Sequence, residues 1–258
     1  MNSRPMAVAG HFYPDSCEEV LEWFKRWRST PVPMQNFQPK AIIVPHAGYM
    51  YSGACAFKAY AQVTTEIKNV IVFGPSHRVA FRGASIGLFE KVQTPCGAIA
   101  CDSKLNKGLV VEFPWLQYIP KAHAEHSTEV QFPFIKECFK NALITEIVYG
   151  SIDPKLLTDI MKICVNLPQT LLIISTDLSH FYTLEEANKL DNACINALKS
   201  LHVSELENCE ACGMRGIEAG ILLANALGWR SQVLDYCTSF DKTGDKSQVV
   251  GYMSAILG

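Results

Sequence analysis

Three histidines of this chain, His46, His77 and His180, each follow a short run of apolar residues that ends in a turn. Such runs, bounded by Pro or Gly, predict buried strands. In open α/β sheets, ligands bind just beyond the carboxyl ends of parallel strands. If the three strands lie parallel, the imidazoles gather in one crevice, which suits a metal site or an acid/base site. A single loop histidine is most often solvated or structural, but three at equivalent positions favour a shared site.

The strands that would position these histidines are short and rich in β-branched residues. The runs Ala41 to Val44 and Val70 to Phe73 lead to His46 and His77, and Leu171 to Ile174 leads to His180. The rest of the chain alternates strand-like and amphipathic helical segments without a linker, repeat or low-complexity tract. This order predicts one α/β domain over residues 1–258.

The segment from 121 to 134 holds a second cluster of titratable residues. His126 stands between Glu125 and Glu129, and His123 precedes it by three residues. The two histidines could share a helix face and form a metal pair, or His123 could be solvated. For His126 the sequence leaves a pocket role and a surface role equally open.

Carboxylate and thiol side chains add further candidates. Asp177 precedes His180 by three residues and can orient its imidazole. Cys237 follows a strand-like run among polar residues, and a thiolate is a good ligand for iron, copper or zinc. Cys209 and Cys212 form a lone Cys-x-x-Cys pair, which is half of a structural zinc site, with a redox role as the alternative.

The composition excludes several classes of function. A formal net charge of −2 over 258 residues offers no basic surface for nucleic acid or anionic membrane. No apolar stretch approaches the roughly 20 residues that span a bilayer, and no signal-peptide pattern begins the chain, so we expect a cytoplasmic protein. The ten cysteines are scattered through apolar segments, so we expect most of them to be reduced and buried.

Six motifs, in order over nearly the whole chain, carry a resemblance to a known family. They are VPHAGYMYSG, GPSH, EHSTEVQFPF, STDLSH, ACG and YCTS..TGD..QVVGY. On these motifs the sequence resembles the Memo family, the protein B component of the AmmeMemoRadiSam system. That family in turn resembles the class III extradiol dioxygenases, which carry a non-haem metal. The resemblance implies a three-layer α/β/α fold with a central, largely parallel or mixed sheet.

The resemblance also implies a role for each matched side chain. The implied metal ligands are His46, His77 and Cys237, with ferrous iron as the expected ion and copper or zinc as alternatives. His180 matches the acid/base histidine of the dioxygenases, and Asp177 and His126 line the same pocket. The sequence departs from the expected pattern at Phe240, where glycine is expected, and a bulky side chain there would narrow the pocket.

Two functions from different classes follow from these residues. The first is a metal-dependent redox enzyme, dioxygenase-like, that acts on a small substrate, because two histidines and one anionic ligand leave coordination positions open. The alternative is a catalytically silent adaptor that uses the same pocket for a peptide or small anionic ligand. The family's microbial members are associated with radical SAM proteins, which implies such a protein as a partner.

Overall fold

Short β-branched runs and capped helices alternate along the chain, as the sequence predicts, and the computed structural model describes residues 2–258. The strands are β1 (Ser3–Arg4), β2 (Ala41–Val44), β3 (Asn69–Pro75), β4 (Ala84–Ile86), β5 (Lys91–Val92), β6 (Ile99–Ala100), β7 (Leu143–Tyr149), β8 (Thr170–Ser175), β9 (His180–Tyr182), β10 (Ser231–Thr238) and β11 (Val249–Leu257). The α-helices are α1 (Cys17–Arg28), α2 (Ala54–Tyr60), α3 (Ser103–Glu112), α4 (His126–Glu129), α5 (Phe132–Cys138), α6 (Pro154–Val165), α7 (Leu184–Ser200), α8 (Met214–Leu227) and α9 (Phe240–Thr243). A π-helical turn (Tyr49–Gly53) and two 3₁₀ helices (Pro120–His123 and Val203–Asn208) complete the described elements.

The main sheet is mixed, and its centre is parallel. Its strands lie in the order β10-β11-β2-β8-β3-β7-β4, and β9 pairs with β11 outside this path. The neighbouring pairs β2–β8, β8–β3 and β3–β7 are parallel. In contrast, β11 pairs antiparallel with both β2 and β10, and β4 pairs antiparallel with β7. The parallel centre confirms that the strands leading to His46, His77 and His180 run in one direction.

Helices cover both faces of this sheet and form the outer layers. One core contains the apolar faces of α6, α7 and α8, and the other contains those of α1, α2 and α5. The central strands are buried along their whole length, as expected for a parallel sheet that is covered on both sides. The fold is therefore a single α/β domain with a mixed sheet, in agreement with the expected architecture.

Local sequence explains where the larger helices begin. Asp153 caps α6 by accepting a hydrogen bond from the backbone of Lys155. Thr183 begins α7 with a capping box, in which the Glu186 side chain bonds back to the cap residue. Capped starts of this kind fix the direction in which each helix leaves the sheet. No helix within residues 2–258 is long and apolar enough to cross a membrane.

Most of the cysteines are reduced, as expected, but four form disulfides, and one of these bonds takes Cys209 out of the Cys-x-x-Cys pair. Disulfides join Cys17 to Cys96 and Cys194 to Cys209. The first bond links the start of α1 to the turn between β5 and β6, and sequence separations of 79 and 15 residues hide both pairings from local pattern. The other six cysteines are free thiols.

Candidate metal centre

The candidate residues meet at the carboxyl edge of three neighbouring parallel strands. Because β8 lies between β2 and β3, the segments that follow these strands leave the sheet side by side. The strand β2 ends before Pro45, because proline has no N–H group to donate to a neighbouring strand. His46 comes next and is almost completely buried, with 1% of its surface exposed.

His126 reaches the same edge from α4, which packs closely against the end of β3. The close packing requires Gly74, because a Cβ atom there would lie 2.7 Å from Ser127 Oγ and 2.8 Å from Thr128 Cγ2. The Ser127 hydroxyl also donates a hydrogen bond of 2.6 Å to the carbonyl of Pro75. These contacts place His126 beside the turn that carries His77.

The imidazoles of His46, His77 and His126 form a compact group. Their nearest nitrogen atoms lie within 4.8 Å of one another. The ring centroids of His77 and His126 are 4.5 Å apart, and His46 lies 5.3 Å from the first and 5.4 Å from the second. The side chains of His77 and His126 are 30% and 18% exposed, so solvent and small molecules can reach the group from one side. Imidazole is a good ligand for zinc, copper and iron, and this spacing suits one shared ion.

Glu125 orients two of the three imidazoles from behind. Its Oε1 lies 2.7 Å from His126 Nδ1 and 3.5 Å from His77 Nδ1. Its Oε2 accepts hydrogen bonds from the backbone N–H groups of His77, at 2.7 Å, and Arg78, at 3.2 Å. A carboxylate behind Nδ1 favours the tautomer that carries the proton there, which leaves each Nε2 lone pair free for a metal.

Ser175 orients the third imidazole. Its Oγ lies 3.0 Å from His46 Nδ1 and accepts a hydrogen bond of 2.9 Å from the amide of Gln131. The orientation of that amide is fixed, since its Oε1 accepts from the Tyr60 hydroxyl and its Nε2 also donates to the Pro45 carbonyl. His46 therefore also has its Nδ1 engaged with protein and its Nε2 turned toward the site.

The charges of the site follow from burial and from these hydrogen bonds. Burial lowers the pKa of His46 well below its ordinary value, and repulsion from His126 and His77 adds to the effect. Burial opposes ionisation of Glu125, but hydrogen bonds from His126 and His77 hold its pKa well below the usual range. A neutral imidazole is the form that binds a metal ion, so His46 is ready to act as a ligand.

Asp177 lies against the same group but serves His46 rather than His180. Its Oδ1 accepts a hydrogen bond of 2.7 Å from the backbone N–H of His46, and its Oδ2 lies 3.9 Å from His46 Nε2. Burial raises the pKa of Asp177, against the hydrogen bond from His46 and the charge of His180. His180 begins β9, is half-buried, and is near enough to influence the charge of both His46 and Asp177. Asp177, which was predicted to line the pocket, therefore contacts the histidine group, and the acid/base role of His180 stays a prediction.

Cys237 lies at the correct edge of the sheet but not in the histidine group. It pairs with Tyr252 on β11. Tyr252 in turn lies level with His46 when the pairing of β11 with β2 is continued by three residues beyond Ala255 and Ile43. Since β11 separates β10 from β2, Cys237 is displaced by two strand spacings, or roughly 10 Å. Its sulfur clusters instead with Cys55 and Asp235. Its ligand role at the histidine group therefore stays a prediction.

Cys212 is the thiol that contacts the histidine group, whereas the sequence indicated it only as part of a Cys-x-x-Cys pair. Its Sγ lies 3.3 Å from His46 Nε2 and 3.2 Å from the backbone nitrogen of Asp177. Burial raises the pKa of Cys212, and the charge of Asp177 adds to the effect. The sequence feature that could have located Cys212 at the site is the ACG motif. Its glycine, Gly213, packs so closely on Thr176 that a Cβ atom would lie 2.5 Å from Thr176 Cβ.

Two other titratable residues of the 121–134 segment are structural. His123 is buried and pairs through Nδ1 with Glu146 at 2.9 Å, so it does not share a site with His126. Glu129 is buried with Arg4 and accepts hydrogen bonds from the backbone of Ala7 and the Tyr13 hydroxyl. Of the two glutamates that flank His126, only Glu125 therefore faces the site.

Phe240 and His11 lie outside the group. Phe240 begins α9, and Lys246 Nζ lies 5.3 Å from the centroid of its ring. His11 lines a surface cavity of about 280 Å³ next to Phe12, whose ring is 4.7 Å from that of His126. A larger cavity of about 430 Å³ lies at the opposite edge of the sheet, beside Asn69 and Pro168, and contains none of the site residues.

The fold and the site define an α/β protein with a three-histidine centre at the carboxyl edge of a mixed sheet, where a metal ion can be held. Comparison with known proteins identifies the family. The family model described as Memo-like protein matches residues 4–256. A MEMO1 family protein of Aquifex aeolicus is 34% identical over 269 residues, which cover 100% of each chain. MEMO1 family proteins of Sulfolobus acidocaldarius and Methanosarcina mazei are 34% and 31% identical, over 98% and 100% of each chain. The chain belongs to the Memo family.

Proposed function

We propose that this protein holds a ferrous ion between His46, His77 and His126 and uses it in dioxygenase-like chemistry on a small substrate. The observation that carries the proposal is the shared orientation of the three imidazoles, each of which has its Nδ1 engaged by Glu125 or Ser175. Imidazoles fixed in this way are a preorganised ligand set, because the protein has already met the cost of ordering them.

The donor atoms fit a first-row transition ion. Imidazole binds iron, copper and zinc, so copper and zinc are the competing occupants, and the preference for iron rests on the family resemblance. Asp177 Oδ2 is the nearest carboxylate to His46 Nε2, at 3.9 Å, and could complete a set of histidines and one carboxylate that is typical of non-haem iron sites. Once bound, the ion would polarise a coordinated substrate hydroxyl and lower its pKa.

His180 would handle protons next to the ion, and Asp177 would position His46. His180 is half-buried at the rim, where it can exchange protons with solvent and accept one from a bound substrate. Asp177 holds the His46 backbone and keeps the ring in place. We therefore expect His180→Ala to keep its metal and to lose about 10² to 10⁴ of any turnover, the usual range for a missing general base.

The test is metal analysis of protein purified without oxygen. Iron, copper and zinc per chain are measured for the unaltered protein and for His46→Ala, His77→Ala and His126→Ala, with the exposed His202→Ala as control. We expect one ion per histidine group, lost in the three site variants and kept in the control. Full metal in His126→Ala together with an empty histidine group in Cys237→Ser would replace our ligand set with His46, His77 and Cys237.

Oxygen uptake with catechols then tests the reaction class. Uptake that needs the ion and falls in His180→Ala supports the enzyme, whereas metal without turnover on any catechol favours the alternative of a ligand-binding adaptor. A cytoplasmic location is part of the proposal. The two disulfides make it testable, because disulfides are rare in most cytosolic proteins, and thiol mapping of protein from the native cell would show whether they form there.

A further inference from the structure

Phe181, the residue after His180, combines an unfavourable backbone conformation with an exposed aromatic side chain. Its φ angle is 64°, in the left-handed region that residues with a side chain rarely adopt. The residue is 70% exposed, although its side chain is large and apolar. Glycine or asparagine would adopt this conformation more readily than phenylalanine. The backbone alone therefore does not account for an aromatic residue at this position.

Phe181 is the extra residue of a β-bulge between β9 and β11. Tyr182 pairs with Val249 and His180 pairs with Val250, so Phe181 has no partner on β11. Bulges are frequent next to active sites, where they change the direction of a side chain. The bulge explains the left-handed backbone, but a glycine would form it equally well.

The segment that leads to the bulge is well anchored. The N–H of Ser179 donates a hydrogen bond of 3.0 Å to Asp191 Oδ1, and the Ser179 carbonyl accepts one of 3.0 Å from the N–H of Gly251. A Cβ atom at Gly251 would overlap the Asp191 carboxylate, so this close packing requires glycine. Because its backbone is held in this way, the chain presents the Phe181 ring at a defined place.

Two other non-glycine residues within residues 2–258 have a left-handed backbone, and each contributes to the fold. Leu201 ends α7 and packs against the core on that side of the sheet. Gln169 accepts a backbone hydrogen bond of 2.8 Å from Lys68, and its side chain donates one of 2.8 Å to Glu66. Phe181 belongs to neither core among the described residues. Its ring therefore returns little stability to the fold.

The ring of Phe181 lies beside the histidine centre instead. Its centroid is 5.9 Å from that of His180, which is close enough to His46 and Asp177 to influence their charge. We propose that Phe181 is a specificity-determining residue, whose ring packs against the planar, aromatic part of a substrate bound at the histidine centre. This inference rests on the proposed function. Strain of this kind is found where a residue serves a ligand rather than the fold, and the contact between the rings forms only when the substrate is bound.

The binding of two small chelators separates the contact of the ring from that of the ion. Catechol and acetohydroxamate each offer two oxygen donors, but only catechol has an aromatic ring. Their affinities for the Fe²⁺-loaded protein are measured by calorimetry without oxygen. We expect Phe181→Asn to weaken catechol binding by about 2- to 12-fold, the range for one aromatic contact, and to leave acetohydroxamate binding unchanged. Phe181→Tyr keeps the ring and should bind catechol as the unaltered protein does.

Thermal unfolding of the same variants tests the argument from strain. Asparagine tolerates the left-handed conformation, so Phe181→Asn should unfold at the same temperature as the unaltered protein or at a higher one. Leu201→Asn is the matched control, because Leu201 is also apolar, with a φ angle of 58°, but packs against the core. This control should lower the unfolding temperature and leave the affinity of the folded protein for catechol unchanged.

The possible failures are distinguishable. Equal catechol affinities for Phe181→Asn and the unaltered protein would reject the role of Phe181 and leave the proposed function standing. An equal loss for both chelators would show that Phe181 acts on the ion or on His180, and would reject the contact with substrate. A lower unfolding temperature in Phe181→Asn would show that the ring serves the fold, and would also reject it. If neither chelator binds the unaltered protein, the proposed function fails and this inference fails with it.

Discussion

Replacing Glu125 with glutamine tests whether this carboxylate sets up the histidine centre. Oε1 receives His126 Nδ1 at 2.7 Å and the His126 backbone N–H at 2.9 Å, while Oε2 receives the backbone N–H groups of His77 and Arg78. The amide nitrogen of glutamine would therefore face N–H donors in either orientation. We expect the rings of His77 and His126 to rotate or to change tautomer, because two donors cannot share a hydrogen bond.

The expected loss can be stated as a change in metal affinity. Removing a group that orients metal ligands costs about 10- to 100-fold, or about 1.4 to 2.8 kcal/mol of binding free energy. The assay is competition for Zn²⁺ with a chromophoric chelator. Thermal unfolding is followed in parallel, to show that affinity is measured on folded protein.

Glu129→Gln is the matched control, since the same change falls four residues away in the same segment. Its contacts go to Arg4, to the backbone of Ala7 and Val8, and to the Tyr13 hydroxyl. We expect it to lower the unfolding temperature and to reduce the metal affinity less than Glu125→Gln does, because Glu129 reaches the histidines only through the segment that carries Phe12. Equal affinities for Glu125→Gln and the unaltered protein, with equal unfolding temperatures, would refute the orienting role of Glu125.

Two further substitutions test how the fold supports the site. Arg4→Met should lower the free energy of unfolding by about 3–5 kcal/mol, because it leaves buried carboxylates without their partner. Denaturant unfolding measures this loss. As a control, the exposed Arg26→Met should change the free energy of unfolding by less than about 0.5 kcal/mol. Gly74→Ala should cost about 1–3 kcal/mol through overlap with Ser127 and should also weaken metal binding. Gly108→Ala, in an open part of α3, should instead stabilise the protein by roughly 0.5–1 kcal/mol. A Gly74→Ala variant with unchanged stability and metal affinity would show that α4 can move without cost.

Local pattern was enough to predict the elements that deliver the candidate residues. The apolar run Leu143–Tyr149 is the strand β7, and the helix α6 begins directly after its cap residue Asp153. The apolar runs before His46 and His77 are strands of the parallel centre. Runs of β-branched residues bounded by Pro or Gly carry this information within a few positions.

The partners of each site residue depended on packing between distant segments, which local pattern does not contain. The sequence places Cys237 at a strand end, but the insertion of β11 between β10 and β2 separates it from His46. Cys212 contacts His46 because α8 begins against the turn after β8, and the contact joins residues 166 positions apart. Glu125 and Glu129 look equivalent in the sequence, and only the docked N-terminal segment makes one of them structural.

That N-terminal segment couples the stability of the fold to the geometry of the histidine centre. Glu129 binds the backbone of Ala7 and Val8, which fixes the chain just before Phe12. The ring of Phe12 packs 4.7 Å from that of His126, and its carbonyl accepts a hydrogen bond of 2.8 Å from Tyr49, in the turn that follows His46. A weakened Glu129 network would therefore release Phe12 and loosen two sides of the site together. Proteins open locally where their contacts are least stable, before they unfold globally. If the N-terminal segment opens in this way, substitutions that destabilise it should also lower the metal affinity.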